Sequence, residues 1–493
     1  MDLTKLRSDI EAYAGALSRE EYLTRAGLKD ESRAAAIREA FPALASRALF
    51  EEARERADAE QDPEPKRGLR FAAEFLGTNV VEYAVRALSD RLLSLEATRT
   101  ITADAEGIPL RSAEVRVKNE AERPRRAAID AVRLRAVEEL NGLRRDMLEA
   151  SHAEVDRLGF PGYAAFCQTL SGIDLVALRD LVQPILARTA DAYRDLLEWQ
   201  LKRRLGVEPR EARRHDLVRL LRAAELDPVF PPSAMREAAE APLRRMGLDP
   251  GAGGRIRVDD EARPTKVPRA FVATLRIPQD VVLVVRPVGG LDDYFSYLHE
   301  LGHALHFAHS DPGLPVEFRR LGDSSVSEAW AFLFDNLLRE RLWLRRFLDL
   351  PQPGDALRFT AFLKLWYLRR YAAKLEYELF LHEGGPDARA ADAYRELLSG
   401  ATMVDWPREM YLADVDPFFY AARYLRAWVF EAQLKAQIRE QFDEEWFRND
   451  RTGPFLAQLW RQGQRHTLEE LREQLGLGEP SVEPLLSQIL ADL

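Results

Sequence analysis

The sequence contains very little cysteine. Cys167 is the single cysteine among 493 residues, which excludes an intramolecular disulfide and any zinc site built from several thiolates. Long apolar stretches are also lacking, since no window approaches the roughly 18 uncharged apolar residues of a membrane-spanning helix. The first seven residues, Met-Asp-Leu-Thr-Lys-Leu-Arg, have no apolar core of the signal-peptide kind. We therefore expect a cytoplasmic protein without a membrane partner.

The sequence also lacks an excess of positive charge. It has 71 basic and 81 acidic residues, so the formal net charge is -10. That balance argues against nucleic acid as the main partner. A hydrophobic content of 46% over 493 residues is enough to bury a large core. We expect a globular protein of two or three domains, or one large two-lobed body.

Helical patterns cover most of the chain. Apolar residues recur at spacings of three and four in stretches rich in Ala, Leu, Glu and Arg. Apart from a short patch at 101–110 that could form a hairpin, strand-like runs occur only at 271–275 and 281–285, where β-branched residues cluster. The sequence predicts a mainly α-helical fold with one small β-sheet beside the segment that follows these runs.

That segment contains His-Glu-Leu-Gly-His at residues 299–303. Two histidines four residues apart lie about 400° apart around an α-helix, so both imidazoles leave the same face and can bind one metal ion. Glu300 follows the first histidine. In this HExxH arrangement two neutral imidazoles bind Zn²⁺ and the carboxylate serves as general base toward water.

A catalytic zinc ion usually has a third protein ligand, and two residues compete for this role. His309 has the outer spacing of the longer HExxHxxGxxH motif, but His306 occupies the position where that motif needs a glycine for a sharp turn. Glu328 follows a loop and a run of serines, and we expect Ser327 or a preceding serine to cap a new helix there. We choose Glu328. Asp335, seven residues later, shares its face and could orient a ligating imidazole.

These residues carry a family resemblance. The motif at 299–306, with Glu328 twenty-five residues beyond His303, resembles the zinc oligopeptidases of the thimet oligopeptidase and oligoendopeptidase F family. The likeness extends upstream to residues 263–271 and the strand pair. Residues 314–320 also resemble a loop of angiotensin-converting-enzyme-like dipeptidases.

The resemblance implies a two-lobed helical metallopeptidase fold with a deep central channel, one Zn²⁺ at its floor, and short peptides as substrates. We accordingly expect residues 1–260 to form a helical N-terminal lobe that walls the channel. Residues 261–493 would form a catalytic lobe with the small sheet, the two metal-binding helices and the C-terminal helices. The two lobes are expected to interleave.

The resemblance also implies tyrosines that reach the reaction intermediate from a later helix. Tyr424 matches the hydrogen-bonding tyrosine, and Tyr420 is a possible second. A phenol can donate to an oxyanion while remaining neutral at pH 7. Relatives carry a histidine shortly before these tyrosines, where this chain has Asp414 and Asp416, and an ionised aspartate cannot donate such a bond.

Two functions therefore follow from the sequence. The first is a zinc metallopeptidase in which Glu300 is the general base and oxyanion stabilisation rests on the metal and Tyr424. The second is a pseudo-peptidase, a helical clamp that binds a peptide or protein without cutting it. The lost histidine motivates the second function, and the intact Glu300 favours the first.

Overall fold

The structure is a computed structural model that describes residues 1–491. The described chain is mainly helical, which confirms the predicted fold class. It divides into two compact units. Unit 1 comprises residues 1–79, 224–358 and the chain from 426 onward, and unit 2 comprises residues 80–223 and 359–425. Each unit draws chain from both sides of residue 260.

The helices vary from one turn to ten turns in length. Those in the first half of the chain are α1 (Leu3–Arg25), α2 (Ala34–Ala40), α3 (Arg47–Ala59), α4 (Pro63–Thr98), α5 (Leu110–Asn119), α6 (Arg123–Glu139), α7 (Asn141–Arg157), α8 (Tyr163–Ser171), α9 (Leu175–Val182), α10 (Pro184–Arg188), α11 (Ala190–Leu205), α12 (Arg214–Arg222) and α13 (Pro232–Arg245). Those in the second half are α14 (Leu291–His309), α15 (Val316–Arg319), α16 (Ser324–Asp335), α17 (Arg341–Phe347), α18 (Gly354–Gly384), α19 (Ala388–Thr402), α20 (Tyr420–Phe442), α21 (Thr452–Trp460), α22 (Leu468–Leu475) and α23 (Glu483–Leu490). None of the helices within residues 1–491 is both long enough and apolar enough to span a bilayer.

The strands form two small sheets. In unit 2, β1 (Thr100–Ala103) and β2 (Glu106–Pro109) make an antiparallel hairpin that begins one residue before the patch at 101–110. In unit 1, β3 (Ile256–Asp259), β4 (Phe271–Arg276) and β5 (Asp280–Val284) make a sheet of order β3-β5-β4. The prediction of β4 and β5 holds, but β3 was not predicted, because a four-residue strand with two charged side chains carries no clear apolar run.

The unit 1 sheet lies between helices. Apolar side chains of β4 and β5, among them Phe271 and Val282, form a core with Ala26 at the end of α1. The Arg25 guanidinium lies 4.1 Å from the centre of the Phe271 ring, which adds a cation–π contact to the apolar packing. Helix α14 also packs against β4 and β5. The sheet therefore holds α14, which carries the HExxH motif, in a fixed position within unit 1.

Helices α14 and α16 approach each other very closely at Gly302. A Cβ at this position would lie 2.6 Å from Ala331 Cα and 2.7 Å from the Trp330 carbonyl oxygen, closer than side-chain carbons ordinarily come. Only glycine fits this contact without moving a helix. The two backbones therefore pack directly against each other, and the side chains on either side of the contact face one another.

Candidate metal centre

Helix α14 begins at a sharply defined point. Gly289 and Gly290 both have φ of +89°, a backbone conformation that favours glycine. Asp293 in the first turn accepts hydrogen bonds from the Val288 N–H at 2.6 Å and the Gly289 N–H at 2.8 Å. The Asp293 carboxylate also lies near the positive end of the helix dipole, which is favourable. This start sets which residues of α14 face the interior of unit 1.

Helix α16 begins at Ser324, at least one residue earlier than a serine cap would place its start. Asp323, and not a serine, is its N-cap: its Oδ1 accepts a hydrogen bond from the Ser325 N–H at 3.0 Å. The expectation that Ser327 or a preceding serine caps this helix is wrong. Asp323 takes the role because its buried carboxylate also pairs with Arg426 at 2.9 Å and accepts a bond from the Leu468 N–H at 3.3 Å.

The two helices bring three potential metal ligands together. His299 Nε2 lies 3.4 Å from Glu328 Oε2, and His303 Nε2 lies 3.7 Å from the same oxygen. The ligand atoms of the three residues all lie within 4.8 Å of one another. We call these three residues the triad. Two imidazole nitrogens and one carboxylate oxygen are a donor set that Zn²⁺ accepts in catalytic sites.

The other nitrogen of each imidazole already has a partner. His299 Nδ1 lies 3.0 Å from Asp335 Oδ2, and His303 Nδ1 lies 2.7 Å from Ser327 Oγ. These contacts hold each ring so that Nε2 points toward Glu328, as partners of metal-binding histidines generally do. Sequence reasoning missed the Ser327 contact. Its position immediately before the expected ligand was the available signal, but a serine at the start of a helix also fits a cap.

Charge at the triad favours a cation. Glu328 and Asp335 are buried carboxylates, 5% and 3% exposed, and buried charges of this kind need compensation. Burial alone disfavours a protonated His299, but hydrogen bonds and charge attraction from these two carboxylates outweigh it and raise the pKa of His299 to about 10. Burial lowers the pKa of His303, so this imidazole is neutral at pH 7. A divalent cation would take the place of the proton on His299.

Glu300 connects the motif to the sheet. Its Oε2 accepts a hydrogen bond from the Val272 N–H on β4 at 3.0 Å. The carboxylate is also near enough to His303 for its negative charge to oppose the effect of burial on the pKa of that histidine. Sequence reasoning did not predict the contact with Val272, because it depends on the packing of α14 against β4.

The next two histidines of α14 have other partners. His306 is fully buried, and its Nε2 lies 3.1 Å from the Gly463 carbonyl oxygen. Burial lowers the pKa of His306 to about 3. His309 Nδ1 lies 2.8 Å from the Leu305 carbonyl oxygen, and its ring lies 5.3 Å from that of Trp460. Among the described residues, neither histidine belongs to the metal-binding group.

Tyr420 and Tyr424 lie in unit 2, in the first two turns of α20. Their ring centroids are 5.1 Å apart, and the Tyr424 ring also makes an edge contact with Tyr371 at 5.5 Å. Both tyrosines are thus part of an aromatic group within unit 2. Their role toward a reaction intermediate stays a prediction.

Asp414 and Asp416, the two aspartates found in the sequence in place of an expected histidine, are held in charge pairs of unit 2. Asp414 pairs with Arg370 at 2.5 Å and accepts a hydrogen bond from the Tyr394 hydroxyl at 2.7 Å. Asp416 pairs with Lys374 at 2.7 Å. Positive neighbours lower the pKa of Asp414 despite burial, so it is ionised at pH 7. Asp414 therefore has a structural role in this unit and no proton to donate to an oxyanion.

Comparison with known proteins gives one clear result. No model of a protein family matches the sequence, and no curated protein sequence matches it either. The structure does match a crystal structure from Bacillus anthracis str. Ames, of a protein named "putative oligoendopeptidase F". The chain shares that fold. The TM-score is 0.66 over 98% of this chain and 89% of the other, with 16% of residues identical.

Proposed function

We propose that the protein is a zinc-dependent peptidase that hydrolyses short peptides. One observation carries the proposal: His299 Nε2, His303 Nε2 and a Glu328 carboxylate oxygen converge within 4.8 Å, and each imidazole is oriented by a contact at its other nitrogen. The donor set suits Zn²⁺, and the buried carboxylates favour a cation. The shared fold with a protein named as an oligoendopeptidase supports peptide hydrolysis as the reaction class.

Each residue of the site would have a separate role in the reaction. His299, His303 and Glu328 would hold the zinc ion, which when bound would supply Lewis-acid chemistry for the activation of water and the polarisation of a carbonyl group. Glu300 accepts the proton of the attacking water and then delivers it to the leaving amine. The family resemblance of the sequence implies that Tyr424, with Tyr420 as a second donor, hydrogen-bonds the oxyanion, and this role rests on the sequence alone. Asp335 and Ser327 keep the two imidazoles in position.

Strand β4 is the proposed site of substrate backbone binding. It is an edge strand of the unit 1 sheet, and Val272 on it contacts the proposed general base. An extended peptide can add to such an edge through main-chain hydrogen bonds, which select peptides with little regard to side chains. The proposed partners are therefore short peptides, with no nucleic acid and no membrane.

A conservative substitution of the general base tests the proposal. Glu300→Gln keeps the shape of the side chain and an acceptor for the Val272 N–H but removes the base. Turnover of a mixture of short peptides, read by mass spectrometry with and without a chelator, should fall by about 10²-fold or more. Zinc content by elemental analysis should remain at one ion per chain. Glu55→Gln, an exposed substitution on α3, is the matched control.

Each result has a definite meaning. Undiminished turnover in Glu300→Gln would refute the assignment of Glu300 as base. A wild-type protein that binds one zinc ion but leaves every peptide uncut would be the pseudo-peptidase. A wild-type protein that binds no zinc would refute the metal site itself.

A further inference from the structure

The backbone of β4 presents alternate residues to its open edge. On the neighbouring strand β5, the N–H groups of Val281 and Val285 donate to carbonyl oxygens of Arg255 and Asp259, at 2.9 Å each, on the β3 side. Backbone groups of successive strand residues point to opposite edges, so those of Val282 and Val284 point toward β4. This pattern determines which residues of β4 are bonded to β5.

The register then assigns Val272 and Thr274 to the open edge. Ala273 is paired with Val282 of β5, which leaves the residues on either side of Ala273 directed outward. Two contacts agree with this. The Val272 N–H donates to Glu300, and the Thr274 carbonyl oxygen accepts a hydrogen bond from Arg320 Nη1 at 3.0 Å.

The contact at Thr274 belongs to a larger group of charged residues, Glu11, Arg319 and Arg320, which we call the clasp. Glu11 of α1 pairs with Arg320 at 3.3 Å and with Arg319 at 2.9 Å. Arg320 bonds the carbonyl and the hydroxyl of Thr274, and Arg319 bonds the Ile277 carbonyl oxygen at 2.8 Å. The Arg320 side chain is only 7% exposed, and burial lowers its pKa. A buried charge with several partners is costly to displace, so the clasp is a firm obstruction.

The clasp blocks the open edge of β4 a short distance from the contact between Val272 and Glu300. Val272 marks a part of the edge that contacts α14, because its N–H donates to Glu300 of that helix. A strand advances about 3.4 Å per residue, so Thr274 lies about 7 Å farther along. The Val272 N–H is bonded to Glu300, so a peptide would pair there with the Val272 carbonyl oxygen, and it would meet Arg320 after about two more residues.

We propose that the clasp limits substrate length on one side of the cleaved bond, with Arg320 as the residue that determines this specificity. The inference rests on the proposed function. Peptides that extend past Val272 by more than about two residues in the direction of Thr274 would lose main-chain pairing and collide with the guanidinium. The substrate class is therefore peptides with a short segment on that side.

Two peptide series test the inference. Each keeps one cleavable bond and grows one residue at a time, from the N-terminus in one series and from the C-terminus in the other. With wild-type protein, cleavage should fall at least tenfold beyond a defined length in one series. Arg320→Ala should move that limit outward by two or more residues. Arg7→Ala is the matched control, because Arg7 pairs with Glu317 between the same two segments, at 2.6 Å, and its hydrogen bonds go to Glu317 and not to β4.

A second measurement separates this inference from the proposed function. The same peptides, labelled with a fluorophore, are titrated with the zinc-loaded Glu300→Gln protein, with and without Arg320→Ala. A length limit in binding that Arg320→Ala relieves supports the clasp even where wild-type protein cuts nothing, in which case the proposed function alone fails. Peptides that are cut or bound without a length limit, or with a limit that Arg320→Ala leaves unchanged, would overturn the clasp. Peptides neither cut nor bound would overturn both.

Folding of the variants needs its own check, because Arg320 is buried. Melting followed by circular dichroism identifies a variant that fails to fold. Arg320→Lys then replaces Arg320→Ala: it keeps a charge for Glu11 but is too short and too poor in donors to hold the Thr274 carbonyl as well. This variant should move the length limit by at least one residue, and an unchanged limit would count against the clasp.

Discussion

Substitution of Gly302 by alanine should weaken metal binding without altering any ligand. A Cβ at residue 302 would lie 2.6 Å from Ala331 Cα. An ordinary contact between carbon atoms is about 3.5 Å, so α14 and α16 would have to separate by about 0.9 Å. His299 and His303 lie on one of these helices and Glu328 on the other, and the separation therefore acts directly on the distances within the triad.

The expected magnitudes follow from this geometry. Overpacking of a close contact lowers the free energy of unfolding by about 1–3 kcal/mol. The higher helix propensity of alanine offsets up to about 1 kcal/mol of this loss. We expect a net loss of about 1–2 kcal/mol in the stability of the metal-free protein. Metal–ligand bonds tolerate displacements of only about 0.2 Å, so zinc affinity should fall at least tenfold.

Two assays separate these effects. Thermal melting in excess chelator reports the packing cost alone, because no metal then stabilises the folded state. Competition with a chromophoric chelator gives the zinc affinity. Gly400→Ala is the control: Gly400 is exposed on α19, and a Cβ added there would have no neighbouring atom within 4 Å, so alanine should stabilise the protein or leave its stability unchanged. Wild-type melting and wild-type zinc affinity in Gly302→Ala would refute the reasoning.

Two further predictions concern neighbours of the triad. Asp335→Asn keeps an acceptor near His299 Nδ1 but removes the negative charge, so zinc affinity in the same competition assay should fall about 10–100-fold; an unchanged affinity would contradict the role of Asp335. Burial lowers the pKa of His306 to about 3. As pH falls below 6.5, the unfolded chain binds a proton that the folded chain does not bind until about pH 3, so the folded state loses stability. In excess chelator, the urea midpoint of wild-type protein should therefore drop between pH 7 and 5 by more than that of His306→Phe, and equal drops would contradict the assignment.

Local spacing was enough to predict part of the site. His299 and His303 share a helix face because of their separation of four residues, and Asp335 shares a face with Glu328 because of their separation of seven. The β-branched runs of β4 and β5 likewise predicted these two strands. Each of these features depends only on residues close together in the sequence.

Features that depend on distant partners were not predictable in this way. Asp323 caps α16, where serines were expected, because Arg426 and the Leu468 N–H hold its carboxylate in place. The contact of Glu300 with Val272 depends on how a helix packs on a sheet edge. No local pattern in the sequence encodes these contacts, which arise from tertiary packing.

The supports of α16 have a consequence for biosynthesis. The carboxylate that caps this helix is held by residues that lie about a hundred or more positions later in the chain, and His306 of α14 likewise bonds to the Gly463 carbonyl. Synthesis proceeds from the N-terminus, so a nascent chain that already contains all three residues of the triad still lacks these supports. They become available only once Leu468 has left the ribosome, so the proposed metal site would be completed well after its three ligands have been synthesised.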